Sequence, residues 1–282
     1  MKLIGQLRSD GDIDVVDLDD DGSARVVASL DAFWAAPHEH ASGPATGPRI
    51  GPEELRPVPP VLPAAKVLCI GLNYADHVAE GSFAGTPRAD HPTIFGRWTD
   101  SLTVDGAAIP VPPDEDGLDW EGEVMAWVGR TLVDATPEEA LAAVVGYSPF
   151  NDVTARRAQK LTSQWTVGKN ADASGPLGAM TPAHEIGDLS RGPRLATRVN
   201  GETVQEASTD QMIFGVGETL AEVSRTLTLR PGDLLATGTP SGVGYARTPV
   251  RLLQPGDVVE VEVERLGRVR NQVVGAQARH RP

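Results

Sequence analysis

The most informative stretch of the sequence is Asp119-Trp120-Glu121-Gly122-Glu123, which runs on into the apolar residues Val124-Met125-Ala126-Trp127-Val128. Alternate side chains of a β-strand point to the same face, so this stretch predicts a strand with Asp119, Glu121 and Glu123 in one row. Such a row of carboxylates repels itself unless a cation or basic side chains neutralise it. A solvated acidic face is one interpretation of this pattern. The other is a metal site, completed by the carboxylate of Asp152 and suited to Mg²⁺ or Mn²⁺, which prefer oxygen ligands.

The composition indicates a globular protein with a small-molecule partner. The chain has 282 residues, 40% of them hydrophobic, which is enough for a sizeable core. It carries 25 Lys and Arg against 39 Asp and Glu, so its formal net charge is −14. That charge disfavours binding to nucleic acid or to an anionic membrane. The first residues lack the apolar core of a signal peptide, and no window is long enough to span a bilayer, so we expect a cytoplasmic protein.

Proline and glycine suggest two domains. Residues 1–63 are predicted to form a small N-terminal domain with short strands, followed by a linker at Gly51–Pro63, where five prolines interrupt any helix. Residues 64–282 alternate short apolar strands with Gly/Pro turns, which predicts a β-rich catalytic domain with few helices. The predicted elements of the second domain are helices near Pro137–Leu141, after Asp152 and over 217–227, and a closing hairpin of 258–263 with 268–274.

Two further segments have a structural interpretation. Cys69 lies in the apolar run Val67-Leu68-Cys69-Ile70, where a buried strand thiol is expected rather than a nucleophile. The residues Trp165-Thr166-Val167-Gly168 look strand-like and precede Lys169. A lysine at such a position is usually solvated.

Five ordered motifs point to a known family. They are Gly71-Leu72-Asn73-Tyr74-Ala75-Asp76-His77, the strand with Glu121 and Glu123, Asn151-Asp152-Val153-Thr154-Ala155-Arg156, Trp165-Thr166-Val167-Gly168-Lys169, and Thr237-Gly238-Thr239-Pro240-Ser241-Gly242-Val243-Gly244. With these motifs, residues 64 to about 275 resemble the fumarylacetoacetate hydrolase family of metal-dependent enzymes. The resemblance implies an α+β, β-rich fold, a mixed β-sandwich roll preceded by a small N-terminal domain. Similar enzymes are mostly homodimers, so we expect a homodimer here.

The resemblance also implies roles for the acidic residues and for Lys169. Glu121, Glu123 and Asp152 match the metal ligands, and Asp119 would stand behind them and accept a hydrogen bond from a metal-bound water. The matching lysine of similar enzymes points into the site, so Lys169 would stabilise an enolate.

A histidine and a glutamate at helical spacing suggest a proton-transfer pair. His77 and Glu80 stand three residues apart, which brings their side chains together on a helix. With Glu80 orienting the imidazole, His77 could take a proton from water. In similar enzymes this segment is a lid, and the small residues of 81–85 suit a moving element.

Four residues are predicted to bind the substrate. Gln159 and Thr239 match positions that face the substrate in similar enzymes, whereas Arg156 either binds substrate or pairs with the metal carboxylates. The segment Phe95-Gly96-Arg97-Trp98 departs from the lysine-proline pair of many members. The planar guanidinium of Arg97 suits a second carboxylate.

These assignments lead to one preferred reaction and two alternatives. We expect a Mg²⁺- or Mn²⁺-dependent hydrolase that cleaves a carbon–carbon bond in an acylpyruvate or related 2,4-dioxo acid. Decarboxylation of oxaloacetate, or keto–enol isomerisation, would use the same metal ligands and the same lysine. A non-enzymatic ligand-binding homologue is the remaining alternative.

Overall fold

The structure, a computed structural model, describes residues 1–80, residue 85 and residues 89–276. The strands are β1 (Leu3–Leu7), β2 (Ile13–Leu18), β3 (Ala24–Ser29), β4 (Arg49–Ile50), β5 (Pro57–Val58), β6 (Val67–Gly71), β7 (Thr93–Arg97), β8 (Leu102–Val104), β9 (Ile109–Pro110), β10 (Gly122–Val128), β11 (Val144–Asn151), β12 (Gly175–Leu177), β13 (Thr181–Pro182), β14 (Arg194–Val199), β15 (Glu202–Ser208), β16 (Leu234–Ala236), β17 (Val258–Val263) and β18 (Gly267–Val274). The helices are α1 (Leu30–Ala35), α2 (Pro37–His40), α3 (Ala75–Glu80), α4 (Pro137–Ala142), α5 (Arg156–Gln159), α6 (Thr166–Lys169), α7 (Ala183–Ile186) and α8 (Val216–Ser224). The predicted β-rich α+β fold is confirmed.

These strands form three sheets. The first has the order β4-β3-β2-β1-β5 and lies within residues 3–58. The second has the order β7-β6-β16-β10-β11-β12-β8, with β13 beside β11, and the third has the order β15-β14-β17-β18-β9. The strand β10, which carries Glu123, therefore lies inside the second sheet with a hydrogen-bonded neighbour on each side.

Both faces of β10 are buried, which explains its nearly continuous apolar sequence. Val124, Ala126 and Val128 pack in a core that includes residues of α4, α8 and the third sheet. Met125 and Trp127, on the opposite face, pack in a second core with residues of the N-terminal region. A strand that is covered on both sides needs apolar residues at every position. Glu123 therefore stands at the end of an otherwise apolar strand.

The N-terminal region packs directly on the second sheet. The ring of Trp34 in α1 stacks on that of Trp127 with 5.8 Å between centroids. Leu3 and Met180 exchange two backbone hydrogen bonds of 2.9 and 2.8 Å. Residues Pro57–Val58 of the predicted linker form β5, which pairs with β1. The division after residue 63 stays a prediction, and part of the linker also belongs to the first sheet.

Several predicted elements are confirmed, and one is wrong. Cys69 is buried in β6, where burial raises the pKa of its thiol, and β17 and β18 pair as the predicted hairpin. Helix α8 ends at Ser224, three residues before the predicted end at Leu227. The strand-like segment before Lys169 is instead the helix α6. Its Gly168 allows close packing, because a β-carbon there would meet the backbone of Gln159 at 2.5 Å. Within the described residues, no helix is long and apolar enough to cross a membrane.

Candidate metal centre and active site

Three carboxylates converge where β10 begins and β11 ends. Ligand oxygens of Glu121, Glu123 and Asp152 all lie within 4.8 Å of one another, and the three residues are at most 5% exposed. The pairing of β10 with β11 creates this cluster: Gly122 pairs with Asn151, and the Asp152 amide donates to the Glu121 carbonyl at 2.9 Å. The structure thus brings the three predicted ligands together.

Asp119 lies beside this cluster and is occupied by other partners. The strand β10 begins at Gly122, so Asp119 lies in the segment before it, where it pairs with Thr154. Its carboxylate accepts hydrogen bonds from the amides of Gly244 at 2.7 Å and Tyr245 at 3.1 Å, and from Arg156 Nε at 2.8 Å. Asp119 therefore joins the carboxylate cluster to the glycine-rich loop after β16.

Lys169 reaches into the cluster from α6. Its ammonium donates to Glu121 Oε2 at 2.6 Å and to Asp152 Oδ2 at 2.7 Å, and the residue is 2% exposed. Burial alone would lower the pKa of Lys169, but the two carboxylates outweigh it and raise the pKa. Lys169 is therefore a fixed cation and not a base.

Two arginines bind carboxylates of the cluster. Arg97 is fully buried, and its guanidinium contacts Asp152, Ser174 at 2.6 Å and Ser101 at 3.3 Å. Arg156 pairs through Nη2 with Asp119 and with Glu121, both at 2.7 Å. Of the two interpretations for Arg156, the structure has the pairing with carboxylates. The buried guanidinium of Arg97 is thus held by Asp152, Ser174 and Ser101.

The charge balance of the cluster fits a bound cation. Four carboxylates, those of Asp119, the two glutamates and Asp152, meet three cationic side chains, those of Lys169, Arg97 and Arg156. Burial would raise the pKa of Glu121, but Lys169 and Arg156 lower it to about 2.

Glu123 is the carboxylate left without a cation. Among the described residues it contacts no basic side chain and accepts only the Gly238 amide, at 2.9 Å. Burial, together with the nearby Asp152 and Glu121 carboxylates, raises its pKa well above the usual range. A hard divalent cation held by the three carboxylates would supply the missing charge, and an all-oxygen donor set suits Mg²⁺ or Mn²⁺.

A cavity of about 570 Å³ opens above Glu121 and Lys169. Most of the predicted functional side chains line it. Glu121 and Lys169 belong to its floor, which is the buried cluster that also contains Glu123 and Asp152; these two residues and Arg97 do not line the cavity directly. The predicted residues that line it are His77, Glu80, Glu121, Arg156, Gln159, Lys169 and Thr239. Sequence reasoning missed Lys160, Trp165, Tyr245 and Arg247, which also line it. Trp165 lies within a quoted motif, and Lys160, Tyr245 and Arg247 lie within a few residues of one, so this proximity was the available signal.

His77 and Glu80 form the predicted pair on α3. His77 Nδ1 lies 2.8 Å from Glu80 Oε1, and Glu80 Oε2 accepts the Gly242 amide at 2.7 Å. Glu80 therefore fixes the imidazole and also ties α3 to the glycine-rich loop. Of residues 81–85, which were predicted to lie beside a moving lid, residues 81–84 are outside the described residues.

Gln159 and Thr239 face the cavity with one hydrogen bond each already made. Gln159 Oε1 accepts from Arg156 Nη1 at 2.9 Å, which leaves its amide NH₂ toward a ligand. Thr239 Oγ1 accepts from Gln205 Nε2 at 2.8 Å, which leaves its own proton to donate. Both side chains are thus oriented as donors.

Trp165 shapes the wall between β6 and β7. Its ring packs edge-on against Phe95, with 5.5 Å between centroids. A β-carbon on Gly71 would meet the Trp165 ring at 2.3 Å, so the glycine of the first motif is needed for this approach. The next residue, Leu72, has φ of 61°, an uncommon conformation for a side chain of this type.

Comparison with known proteins gives consistent results. The fumarylacetoacetate (FAA) hydrolase C-terminal family model matches residues 66–274. Oxaloacetate tautomerase Fahd2a of Rattus norvegicus is 39% identical over 219 residues, 76% of this chain and 68% of that protein.

Two solved structures extend the comparison to the fold. A fumarylacetoacetate hydrolase from Exiguobacterium antarcticum has a TM-score of 0.81 and 34% identity, and covers 98% of this chain and 100% of its own. A fumarylpyruvate hydrolase from Pseudomonas aeruginosa, solved with Mn²⁺ and pyruvate, has a TM-score of 0.67 and 31% identity, and covers 78% of this chain and 91% of its own. The chain thus belongs to the fumarylacetoacetate hydrolase family.

Proposed function

We propose that this protein is a divalent-metal-dependent enzyme that interconverts the keto and enol forms of a small 2-oxo acid, with oxaloacetate as the first candidate. The observation that carries the proposal is the placement of Lys169. Its buried ammonium bridges Glu121 and Asp152 on the floor of the cavity, whose wall carries His77. A fixed cation and a proton-transfer group facing one cavity are what enolisation of a ketone requires.

The floor would bind the end of the substrate that carries the 2-oxo group. Glu121, Glu123 and Asp152 would hold Mg²⁺ or Mn²⁺, which would supply a Lewis acid that polarises the carbonyl of a 2-oxo carboxylate. Lys169 adds a positive charge beside the developing enolate oxygen. Because its two carboxylate partners keep it protonated, this charge is present throughout the neutral pH range.

His77 would move the proton at the carbon next to the carbonyl. Glu80 accepts the Gly242 amide and cannot donate when ionised, so it accepts from His77 Nδ1–H as well. That assignment leaves Nε2 of a neutral imidazole as the proton acceptor. His77 would take the proton at this atom and return it when the enolate becomes the ketone.

The names of related proteins support tautomerisation over hydrolysis. The rat relative, 39% identical, is named an oxaloacetate tautomerase, and a relative from Bacillus subtilis with the same function in its name is 37% identical. Cleavage of an acylpyruvate, the reaction preferred from the sequence, stays the second candidate. It is favoured by the similarity to fumarylpyruvate hydrolase and would use His77 to activate water instead.

A direct comparison of the two reactions tests the proposal. The metal-loaded protein is given enol-oxaloacetate in dilute buffer, and ketonisation is followed by loss of the enol absorbance. A parallel reaction with acylpyruvate follows the release of pyruvate. We expect ketonisation to be accelerated and to depend on added metal. Fast release of pyruvate without accelerated ketonisation would contradict the proposal and would show that the protein is a hydrolase instead.

A further inference from the structure

The cations on the cavity wall differ in what they are bound to. Arg156 is held by the carboxylates of Asp119 and Glu121, and Lys169 by those of Glu121 and Asp152. Arg247 donates to the backbone carbonyls of Val204 and Gly242. Lys160, by contrast, has no carboxylate, carbonyl or hydroxyl partner among the described residues. Among the described cations that line the cavity, Lys160 is therefore the one whose side-chain N–H groups have no hydrogen-bonding partner.

Lys160 is nevertheless held in one place. Its ammonium lies over the ring of Tyr245, 3.3 Å from the centroid. The Tyr245 backbone is anchored in turn, because its amide donates to Asp119 at 3.1 Å. A cation over an aromatic face is attracted by the negative charge of the ring's π-face, but this contact leaves its N–H groups able to bind an anion. The Lys160 ammonium is thus held in position while its N–H groups can still bind an anion.

Glu121 lies at the inner end of the cavity and Lys160 at its outer end, and Arg156 and Gln159 connect the two. Glu121 on the floor pairs with Arg156, which bonds to Gln159 at the end of α5. Lys160 follows Gln159 directly and is exposed. A ligand whose 2-oxo acid group lies on the floor would therefore have its far end near Lys160. At about 570 Å³ the cavity falls in the range that accommodates ligands much larger than oxaloacetate.

We propose that Lys160, held over the ring of Tyr245, binds a second carboxylate at the end of the substrate remote from the 2-oxo group. The preferred substrates are then 2-oxo dicarboxylic acids, including ones longer than oxaloacetate. This inference rests on the proposed function for the placement of the 2-oxo group. It also reassigns a role that the sequence favoured for Arg97, whose buried guanidinium is held by Asp152 and Ser174.

A matched pair of ligands isolates the second carboxylate. 2-Oxoadipate and 2-oxohexanoate have the same chain length and differ in ending with a carboxylate or a methyl group. Calorimetric titration of the full chain with Mg²⁺ gives a Kd for each. A partly exposed ion pair contributes modestly, so we expect the wild type to bind the diacid about fivefold more tightly. Raised salt should reduce this preference.

Substitutions of Lys160 and Tyr245 then test the assignment. Lys160→Gln should remove the preference by weakening diacid binding alone, and Lys160→Arg should restore it. Tyr245→Leu should reduce the preference, whereas Tyr245→Phe should keep it because the ring remains. Arg157→Gln is the matched control, since Arg157 adjoins Arg156 on α5 but its side chain pairs with Asp114 outside the cavity.

The outcomes separate this inference from the proposed function. A wild type without preference, no binding of either acid, or a preference that persists in Lys160→Gln would overturn the role of Lys160. If ketonisation of oxaloacetate is absent while the preference depends on Lys160, the proposed reaction fails and the second-carboxylate site stands. If ketonisation is present without any preference, only the second-carboxylate site fails.

Discussion

The floor and the rim of the cavity are built in opposite ways. The floor consists of Glu121, Glu123, Asp152 and Lys169, which are almost completely buried where β10 and β11 meet. The rim consists of side chains on short helices and a loop, among them His77, whose side chain is 14% exposed, and Lys160. Buried charges interact strongly because little water screens them, whereas exposed charges interact weakly. We therefore expect the floor to supply binding and enolate stabilisation, and the rim to supply proton transfer and selectivity.

Glu123→Gln should have the largest effect, because it removes the carboxylate that no basic side chain balances. We expect loss of Mg²⁺ and Mn²⁺ binding in calorimetric titrations, and a fall in kcat of about a thousandfold or more. The far-UV circular dichroism should stay that of the wild type, since the shapes of the two side chains are alike. Removal of the metal from the wild type with a chelator should cause the same loss of activity, and added metal should restore the activity. If Glu123→Gln bound metal with the affinity of the wild type, the assignment of Glu123 as a metal ligand would be wrong.

Lys169→Met should affect both activity and stability. It leaves the buried carboxylates of Glu121 and Asp152 facing each other, so the metal-free protein should lose about 3–5 kcal/mol of unfolding free energy. Turnover in ketonisation and in acylpyruvate cleavage should each fall by roughly a hundredfold to a thousandfold.

Two variants serve as controls for Lys169→Met. Lys169→Arg keeps the charge and tests whether geometry or charge is needed. Lys2→Gln removes the same charge from an exposed pair with Asp20 and should change neither reaction. Equal stability of Lys169→Met and the wild type, measured by urea unfolding without metal, would contradict the bridging role.

His77→Ala should have a smaller effect, confined to the steps that move a proton. We expect kcat for ketonisation, and for acylpyruvate cleavage, to fall by about a hundredfold, the usual contribution of a positioned general base. Metal-dependent decarboxylation of oxaloacetate should be largely retained, because it relies on the floor. Glu80→Gln should cost less than His77→Ala, since the imidazole stays. If His77→Ala catalysed ketonisation at the wild-type rate across neutral pH, His77 would not be the group that transfers the proton.

The smallest effect should be seen in the metal-free stability at different pH values. The pKa of Glu123 is raised in the folded protein from its usual value of 4.5, so the folded state favours the protonated carboxyl. That stabilisation is complete below the usual pKa and is lost as pH rises toward the raised pKa. Metal-free wild type should therefore lose a few degrees of Tm relative to Glu123→Gln as pH rises from about 5 to 8. Differential scanning calorimetry measures this, and a constant difference between the two proteins would contradict it.

Most residues of the floor could be predicted from the sequence alone. The alternation of Glu121 and Glu123 predicts both carboxylates on one side of an extended chain, because side chains of a strand repeat with a period of two. The structure keeps the two together, although β10 begins only at Gly122, between them. Asp152 and Lys169 could be added because their motifs resemble those of a known family, and the helical spacing of His77 and Glu80 placed them together. All of these relations depend on local geometry or on recognisable motifs.

Which cations line the cavity and which are buried away from it depends on tertiary packing. Arg97 looked suited to a second carboxylate, but the pairing of β7 with β6 and the packing of Ser174 and Asp152 around it bury its guanidinium. Lys160 and Tyr245 are far apart in sequence and meet because Asp119 anchors the loop beside α5. Nothing in a local pattern encodes such contacts, since they arise from the register of strands and the course of a loop. A local period orients a side chain on its element, but only packing determines what that side chain meets.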